Sequence, residues 1–290
     1  MIKEQDRNRI VGIIFIYLFC CIVRVIEYMF IRTDQSIFGE AFLHKLTGIV
    51  VLVLAIKVFS LKWREVGFTK KAVGEKLIKG FLLGISMFVI AYGAEFLILF
   101  LKGQEPILKV YVTSYSITGN EGNQTGIMFF GFSIIGNIIN VVMEEGIFRG
   151  LFMKLGERKY TFTKALIISA ILFGVWHIVA PVRSLLDGEI STYGAIMTSL
   201  MLMITSALMG VKWGILTKMT GSLWAGMADH FVNNFIINVL HIVSLSGSDE
   251  LQVIRISIAQ TLSFLVVLFI YWKSGAHSKP TFPISGLSKE

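Results

Sequence analysis

The sequence predicts an all-α, polytopic transmembrane bundle of about eight spanning helices, with N-terminus and C-terminus both cytosolic. Three observations carry that expectation. The 290 residues are 54% hydrophobic and only 16% charged, where a soluble domain carries roughly 25% charge, and the mean hydropathy is +0.72. The apolar residues gather into runs long enough to cross a bilayer, for which about 20 are needed. Basic residues alternate across those runs in the way that positive-inside orientation requires.

The spans are expected at 11–31, 45–60, 80–101, 127–148, 164–182, 194–213, 220–243 and 254–272. The first is not expected to be a cleaved leader, because its apolar run exceeds an h-region and no small-x-small site follows. The second is short. With the N-terminus inside, the cytosolic segments hold Lys3, Arg7 and Arg9, then Lys62, Arg64, Lys70, Lys71, Lys76 and Lys79. Next come Arg149, Lys154, Arg158, Lys159 and Lys164, then Lys212 and Lys218, then Lys273, Lys279 and Lys289. The outside segments hold only Arg32, Lys45, Lys102, Lys109, Arg183 and Arg255, in company with Asp187, Glu189, Asp249 and Glu250. This asymmetry accounts for the formal charge of +8 through the membrane surface, and no nucleic-acid partner is expected. Trp63, Trp213, Trp224 and Trp272 fall near cytosolic helix ends, where indoles favour the interface. The basic stretch 60–79 reads as an amphipathic surface segment. Cys20 and Cys21 are adjacent in an apolar run and read as small buried hydrophobes. Residues 1–290 read as one membrane domain, with no internal repeat. The Ile-, Lys- and Phe-rich composition points to the plasma membrane of a low-GC bacterium.

Ionisable groups within a span are costly and are functional candidates. They are few here: Arg24, Glu27, Glu95, Glu144, Glu145, His177, Asp229 and His230, with His241 near an outer end. Arg24 and Glu27, three residues apart, read as a structural ion pair. Glu95 lies toward the outer end of its span, within reach of water. On the fourth span Asn137, Asn140 and Glu144 recur at three and four residues, a polar stripe that faces the bundle interior. Glu145 stands about 100° round the helix from Glu144, four residues before Arg149, the favourable order for an ion pair. It reads as a positioning partner of Arg149 while Glu144 projects into the core; otherwise both glutamates simply cap the end of the span. His177 is either a packing residue or a catalyst. His230 and Asn234 share one face of the seventh span, and Asn238 continues it. At 1.5 Å per residue, His177 and His230 lie about 20 and 15 Å into their spans, and Glu144 only about 5–10 Å from the cytosolic end. The three can meet in a cavity open to the cytosol, with Glu144 as its shallow member.

A carboxylate beside a neutral imidazole activates water as a general base. A second His with an Asn amide supplies donors for an oxyanion. Together these parts make a peptide-bond hydrolase. Glu144, His177 and His230 would alternatively bind zinc and leave one position for water. No HExxH or GxSxG occurs, and no Ser- or Cys-centred nucleophile motif, which argues against covalent routes. Two other classes remain open. A proton-coupled transporter would use the same ionisable groups but calls for broken helices in paired repeats. A non-catalytic immunity or scaffold protein would not need Glu144.

Three motifs stand in order on successive core spans: EExxxR at Glu144, Glu145 and Arg149; FxxxH at Phe173 and His177; HxxxN at His230 and Asn234. The set resembles the CPBP (Abi) family of intramembrane proteases, which includes the type II CAAX prenyl endopeptidases, with residues 127–243 as the catalytic core. The resemblance implies an intramembrane endopeptidase acting on membrane-associated, in some relatives lipidated, peptides or proteins. It assigns Glu144 and His177 to water activation and His230 and Asn234 to the oxyanion. Glu145 and Arg149 would support the site, with Asn140 and Phe173 beside them. The family is often labelled metalloprotease. A metal-free reaction with no cofactor is favoured here, because Asn is a natural oxyanion donor and an unusual zinc ligand; zinc on Glu144, His177 and His230 is the alternative.

Overall fold

In the computed structural model the described residues are 2–36, 38–113, 124–245, 247 and 249–275. Lys279 and Lys289, expected in the cytosolic tail, lie outside them, as do the side chains of Lys3 and Arg7. Helix accounts for 77% of the structure, so the all-α expectation holds.

Helix α1 (Ile2–Ile26) loosens at its end into a π-helical segment, Glu27–Ile31. Glu27 then caps the next helix, α2 (Leu43–Val58): the backbone N–H groups of Leu43 and His44 donate to its two oxygens at 2.8 and 2.6 Å. A carboxylate at that end satisfies orphan donors and complements the helix dipole, which fixes where the second passage begins. The third passage is α3 (Val73–Leu101), followed by a short strand, β1 (Ile107–Val110). Helix α4 (Ile127–Glu144) continues without a break through a π-helical segment, Glu145–Phe152, into α5 (Met153–Gly156). The fourth passage therefore ends near 156 rather than 148. Glu144 sits about 18 Å from the C-terminal end of that passage, level with the other candidates rather than shallow.

Helix α6 (Phe162–Trp176) starts at Thr161, whose hydroxyl accepts from Lys164 N–H, and stops one residue before His177. A short α7 (Val179–Leu186) completes that passage. Helix α8 (Thr192–Thr220) opens on a Ser191 cap at 3.1 Å and closes at Gly221, where φ is +61°. Helix α9 (Trp224–Val239), strand β2 (Leu240–Val243) and α10 (Gln252–Lys273) complete the chain.

Eight helical passages result among the described residues. Six of them, Arg9–Ile31, Val73–Leu101, Ile127–Gly156, Phe162–Leu186, Thr192–Thr220 and Gln252–Lys273, are long and apolar enough to cross a membrane. The chain is thus an integral, multi-pass membrane protein. The other two, α2 and α9, have 16 residues each, about 24 Å against a hydrocarbon thickness near 30 Å. No residue of α9 is exposed, so it is an enclosed central helix that other helices shield from lipid. Its tightest neighbour is α3: a Cβ on Gly80 would lie 2.2 Å from the Ala225 carbonyl oxygen, and one on Gly84 2.9 Å from Val232 Cβ. Small residues permit this close backbone approach where lipid supplies no hydrophobic drive. The outward faces carry Phe15, Leu18, Val89, Leu97, Ile171, Leu208 and Phe269, all exposed and suited to acyl chains.

Contacts sort the connections onto two sides. On one, Arg32 pairs with Asp187 at 2.5 Å and Asp34 with Arg183 at 2.6 Å. Phe38 packs on Phe132 there, and β1 pairs antiparallel with β2, Ile107 opposite Val243. On the other, Leu223 N–H donates to Gly67, Lys154 faces Glu65 at 3.9 Å, and Phe162 packs on Tyr271. The second side carries the basic stretches 62–79 and 154–164 with Lys218 and Lys273.

Three expectations are revised. Glu95 is not in water: it is 2% exposed and accepts from Arg255 at 2.6 Å. Glu27 turns to His44 Nδ1 at 2.5 Å, while the Arg24 guanidinium lies over the Trp176 ring at 4.4 Å. Lys212 and Trp213 are not at an interface: α8 runs seven residues beyond Trp213 to Thr220, and both side chains are buried.

Candidate active site

Glu144 is the last residue of α4 and Glu145 the first of the π-helical segment. A π-helical turn widens the spacing of successive side chains and recurs at functional sites. Here both carboxylates reach one imidazole. His230, on α9, has Nδ1 3.0 Å from Glu145 Oε1 and Nε2 3.6 Å from Glu144 Oε2. Glu145 therefore has His230 as its hydrogen-bonding partner. Arg149 Nε lies 3.6 Å from Glu145 Oε2, beyond hydrogen-bond range, and the Arg149 guanidinium has no hydrogen-bond partner among the described residues. The predicted Glu145–Arg149 ion pair is thus present without a hydrogen bond, and the guanidinium also lies over Phe173 at 3.9 Å and Trp213 at 5.2 Å, a desolvated cation–π arrangement. Gly210 makes the space: a Cβ there would stand 2.8 Å from Arg149 Nη2.

The Glu144 carboxylate is held by two donors. Trp176 Nε1–H donates to Oε1 at 3.1 Å and Asn140 Nδ2–H to Oε2 at 3.2 Å. Asn140 arrives from one turn earlier on α4, and Trp176 from the end of α6. His177 occupies the turn just after α6, with its Nδ1 2.8 Å from the Phe173 carbonyl oxygen. A carbonyl only accepts, so Nδ1 carries the proton and Nε2 presents its lone pair. His177 and His230 both lie close enough to Glu144 to interact with its carboxylate.

His230 is pinned on its flat side. Its ring stacks on Trp213 with centroids 3.7 Å apart and planes 14° from parallel. Trp213 Nε1–H in turn donates to Asp229 Oδ2 at 2.8 Å. Asn234 lies one turn further along α9, its Oδ1 accepting from Asn233 Nδ2 at 2.9 Å. The structure thus gathers Glu144, Glu145, Asn140 and His230 directly, with Phe173, His177 and Arg149 around them and Asn234 extending the His230 face. Among the described residues, no group of three or more His, Cys, Asp or Glu is disposed to hold a metal ion.

Residues 126–236 match the family model described as Type II CAAX prenyl endopeptidase Rce1-like. This segment is Rce1-like. The matched stretch runs from the start of α4 into α9 and contains all three motifs read from the sequence. It supports, in general terms, a CAAX-protease-like intramembrane endopeptidase. No curated protein matches the chain. Three residues of the Rce1-like segment escape the sequence motifs. Trp176 stands out by no motif and Trp213 reads as an interface residue, yet they hold Glu144 and His230. Lys212 reads as one of the cytosolic basic residues, yet it lies 2.6 Å from Asp229. The available signal was Asp229 itself, since a carboxylate in a span calls for a cation nearby.

Proposed function

We propose that the chain is an intramembrane endopeptidase that cleaves membrane-associated, lipidated peptides or proteins, using water activated by Glu144 and His177. The observation that carries this reading is the Glu144 carboxylate, fixed by Trp176 and Asn140 beside two imidazoles. His177, with its proton on Nδ1, orients the water through Nε2. Glu144 takes the water proton as the oxygen attacks the peptide carbonyl carbon. The carbonyl electron pair moves onto oxygen, and the oxyanion is met by Asn234 Nδ2–H and by His230 Nε2–H when the ring carries both protons. Collapse breaks the C–N bond, and the amine leaves with the proton held by Glu144, which restores the carboxylate. Glu145 holds His230 from Nδ1, in the manner of an orienting carboxylate, and Arg149 offsets the charge of the two glutamates. No step runs through a metal.

The test is cleavage of an internally quenched, lipidated peptide library by the detergent-purified full chain, wild type beside Glu144→Ala, each with and without a zinc chelator. The expected result is cleavage reduced at least about 100-fold in the variant and unchanged by the chelator. Loss on chelation with rescue by zinc overturns the metal-free reaction. Equal cleavage by the variant overturns the role of Glu144 and favours a scaffold.

A further inference from the structure

Behind the site, α8, α9 and α10 share a buried polar chain that the motifs do not include. Lys212 is fully buried at 0% exposure, and its ammonium has three acceptors: Asp229 Oδ2 at 2.6 Å, Gln260 Oε1 at 2.7 Å and Ser263 Oγ at 3.1 Å. An ammonium has three N–H donors and no acceptor, so all three protons are in use. That fixes the next group. Amide oxygen and nitrogen can normally exchange places, but Gln260 must turn its oxygen to Lys212 and therefore its Nε2 outward. Gln260 Nε2–H donates to Asn233 Oδ1 at 2.7 Å, which turns Asn233 Nδ2 to Asn234 Oδ1 at 2.9 Å. Asn234 Nδ2 is left as a donor without a partner among the described residues.

We infer that Lys212 is a positioning residue whose charge, passed through Gln260 and Asn233, sets the side-chain amide of Asn234 so that its N–H, and not its oxygen, serves the substrate oxyanion. This rests on the reading of Asn234 as an oxyanion donor. The same anchor reaches the other donor, because Asp229, held by Lys212, accepts from Trp213, the ring on which His230 stacks. One buried ion pair thus positions both donors, at the back of the site and away from the water-activating residues. From Lys212 to Asn234 each link is a hydrogen bond, the first two joining different helices and the last lying within α9, as a preorganised site requires. The chain has a direction because it starts at a group that only donates.

Direction is what separates this role from plain support, and two substitutions at Gln260 read it. In Gln260→Glu the new carboxylate keeps its bond to Lys212 but offers Asn233 only an acceptor. Asn233 must then turn its N–H to residue 260 and its oxygen to Asn234. Asn234 turns in response and presents its oxygen to the oxyanion. In Gln260→Met the chain is cut without being reversed. With the full chain in nanodiscs and the quenched lipidated peptide library as probe, kcat should fall about 100-fold in Gln260→Glu, the scale of losing one oxyanion donor. It should fall less in Gln260→Met, with KM within about twofold in both. A structural role for the chain gives the opposite order, since glutamate keeps the Lys212 contact and methionine loses it, and that order overturns the inference. A second readout does not depend on turnover. Nitrogen-15 labelling of asparagine should show the Asn234 side-chain amide exchanging freely with solvent in wild type and protected in Gln260→Glu. An unchanged exchange rate overturns the relay. Asn234→Ala keeps the two readings apart: full activity in that variant defeats the oxyanion role, while the exchange experiment still decides the direction of the chain.

Discussion

At the scale of single residues, the site is defined by which atom each side chain is compelled to present. The Phe173 carbonyl oxygen fixes the His177 proton on Nδ1, Glu145 holds His230 by Nδ1, and two N–H donors hold Glu144. Trp176→Phe removes one of those donors while leaving a ring against the neighbouring core. A hydrogen bond to a charged group contributes about 1.5–3 kcal/mol, so kcat should drop about 10- to 100-fold with KM little changed, read by steady-state cleavage of the peptide probe. A rate equal to wild type would mean that Asn140 alone suffices to hold the carboxylate. Glu144, His177, His230 and Asn234 were legible in the sequence because polar groups in apolar spans stand out by their cost. Trp176 and Trp213 were not legible, because an indole in a membrane protein has two ordinary uses, packing and interface anchoring, and sequence does not distinguish these from hydrogen bonding to a buried carboxylate. Lys212 was hidden by a boundary: with the span ended at 213, it stood at the very end of the span and counted with the cytosolic basic residues, where a lysine calls for no partner.

At the scale of elements, the eight passages were readable from apolar runs, while their ends and irregularities were not. Composition does not announce that α4 passes into a π-helical segment at Glu145. That segment carries the helix on to Gly156 and lets adjacent glutamates reach one imidazole. Nor does it announce that α9, read as an ordinary span, is an enclosed 16-residue helix. The close approach of α3 to α9 positions that helix, and it depends on missing side chains. Gly80→Val places a Cβ where the Ala225 carbonyl stands, at 2.2 Å. Overpacking of this kind costs about 1–3 kcal/mol, and here it displaces the helix that bears His230 and Asn234. Both the melting temperature and cleavage should therefore fall. Gly93→Ala, on the same helix with open space around it, should leave both unchanged. Measured side by side in detergent, equal effects of the two substitutions would remove the α3–α9 contact from the account of the site.

At the scale of the whole molecule, one clasp joins α3, α9 and α10 at the ends beside strands β1 and β2. His241 on β2 stacks on Tyr111 with centroids 4.0 Å apart, and its Nδ1 lies 3.1 Å from Asp249. Asp249 receives Arg255 at 2.6 and 3.1 Å, and Arg255 continues to Glu95 on α3 at 2.6 Å. Tyr92 of α3 donates to the backbone oxygens of Ile236 and Leu240 beside it. Burial by itself pushes the Asp249 carboxyl up, but the hydrogen bonds from His241 and Arg255 and the charge of Arg255 outweigh it, so the group lies below the ordinary 3.8. A carboxyl depressed in the folded state adds stability that is fully present above its unfolded value and is lost as pH falls through the folded one. The clasp should therefore hold at neutral pH and weaken only in acid, below about pH 4. Asp249→Asn removes the charge and leaves Arg255 buried with Glu95 alone, a change on the order of 3 kcal/mol for a broken buried pair. Thermal unfolding of wild type and variant at a series of pH values tests this. The variant should melt lower at pH 7, and the gap should close as the pH drops through the range in which the wild-type carboxyl takes up its proton. No gap at pH 7 would mean that Asp249 acts through its shape, which asparagine keeps, rather than its charge. The clasp would then be a packing joint between three helices and not an electrostatic one.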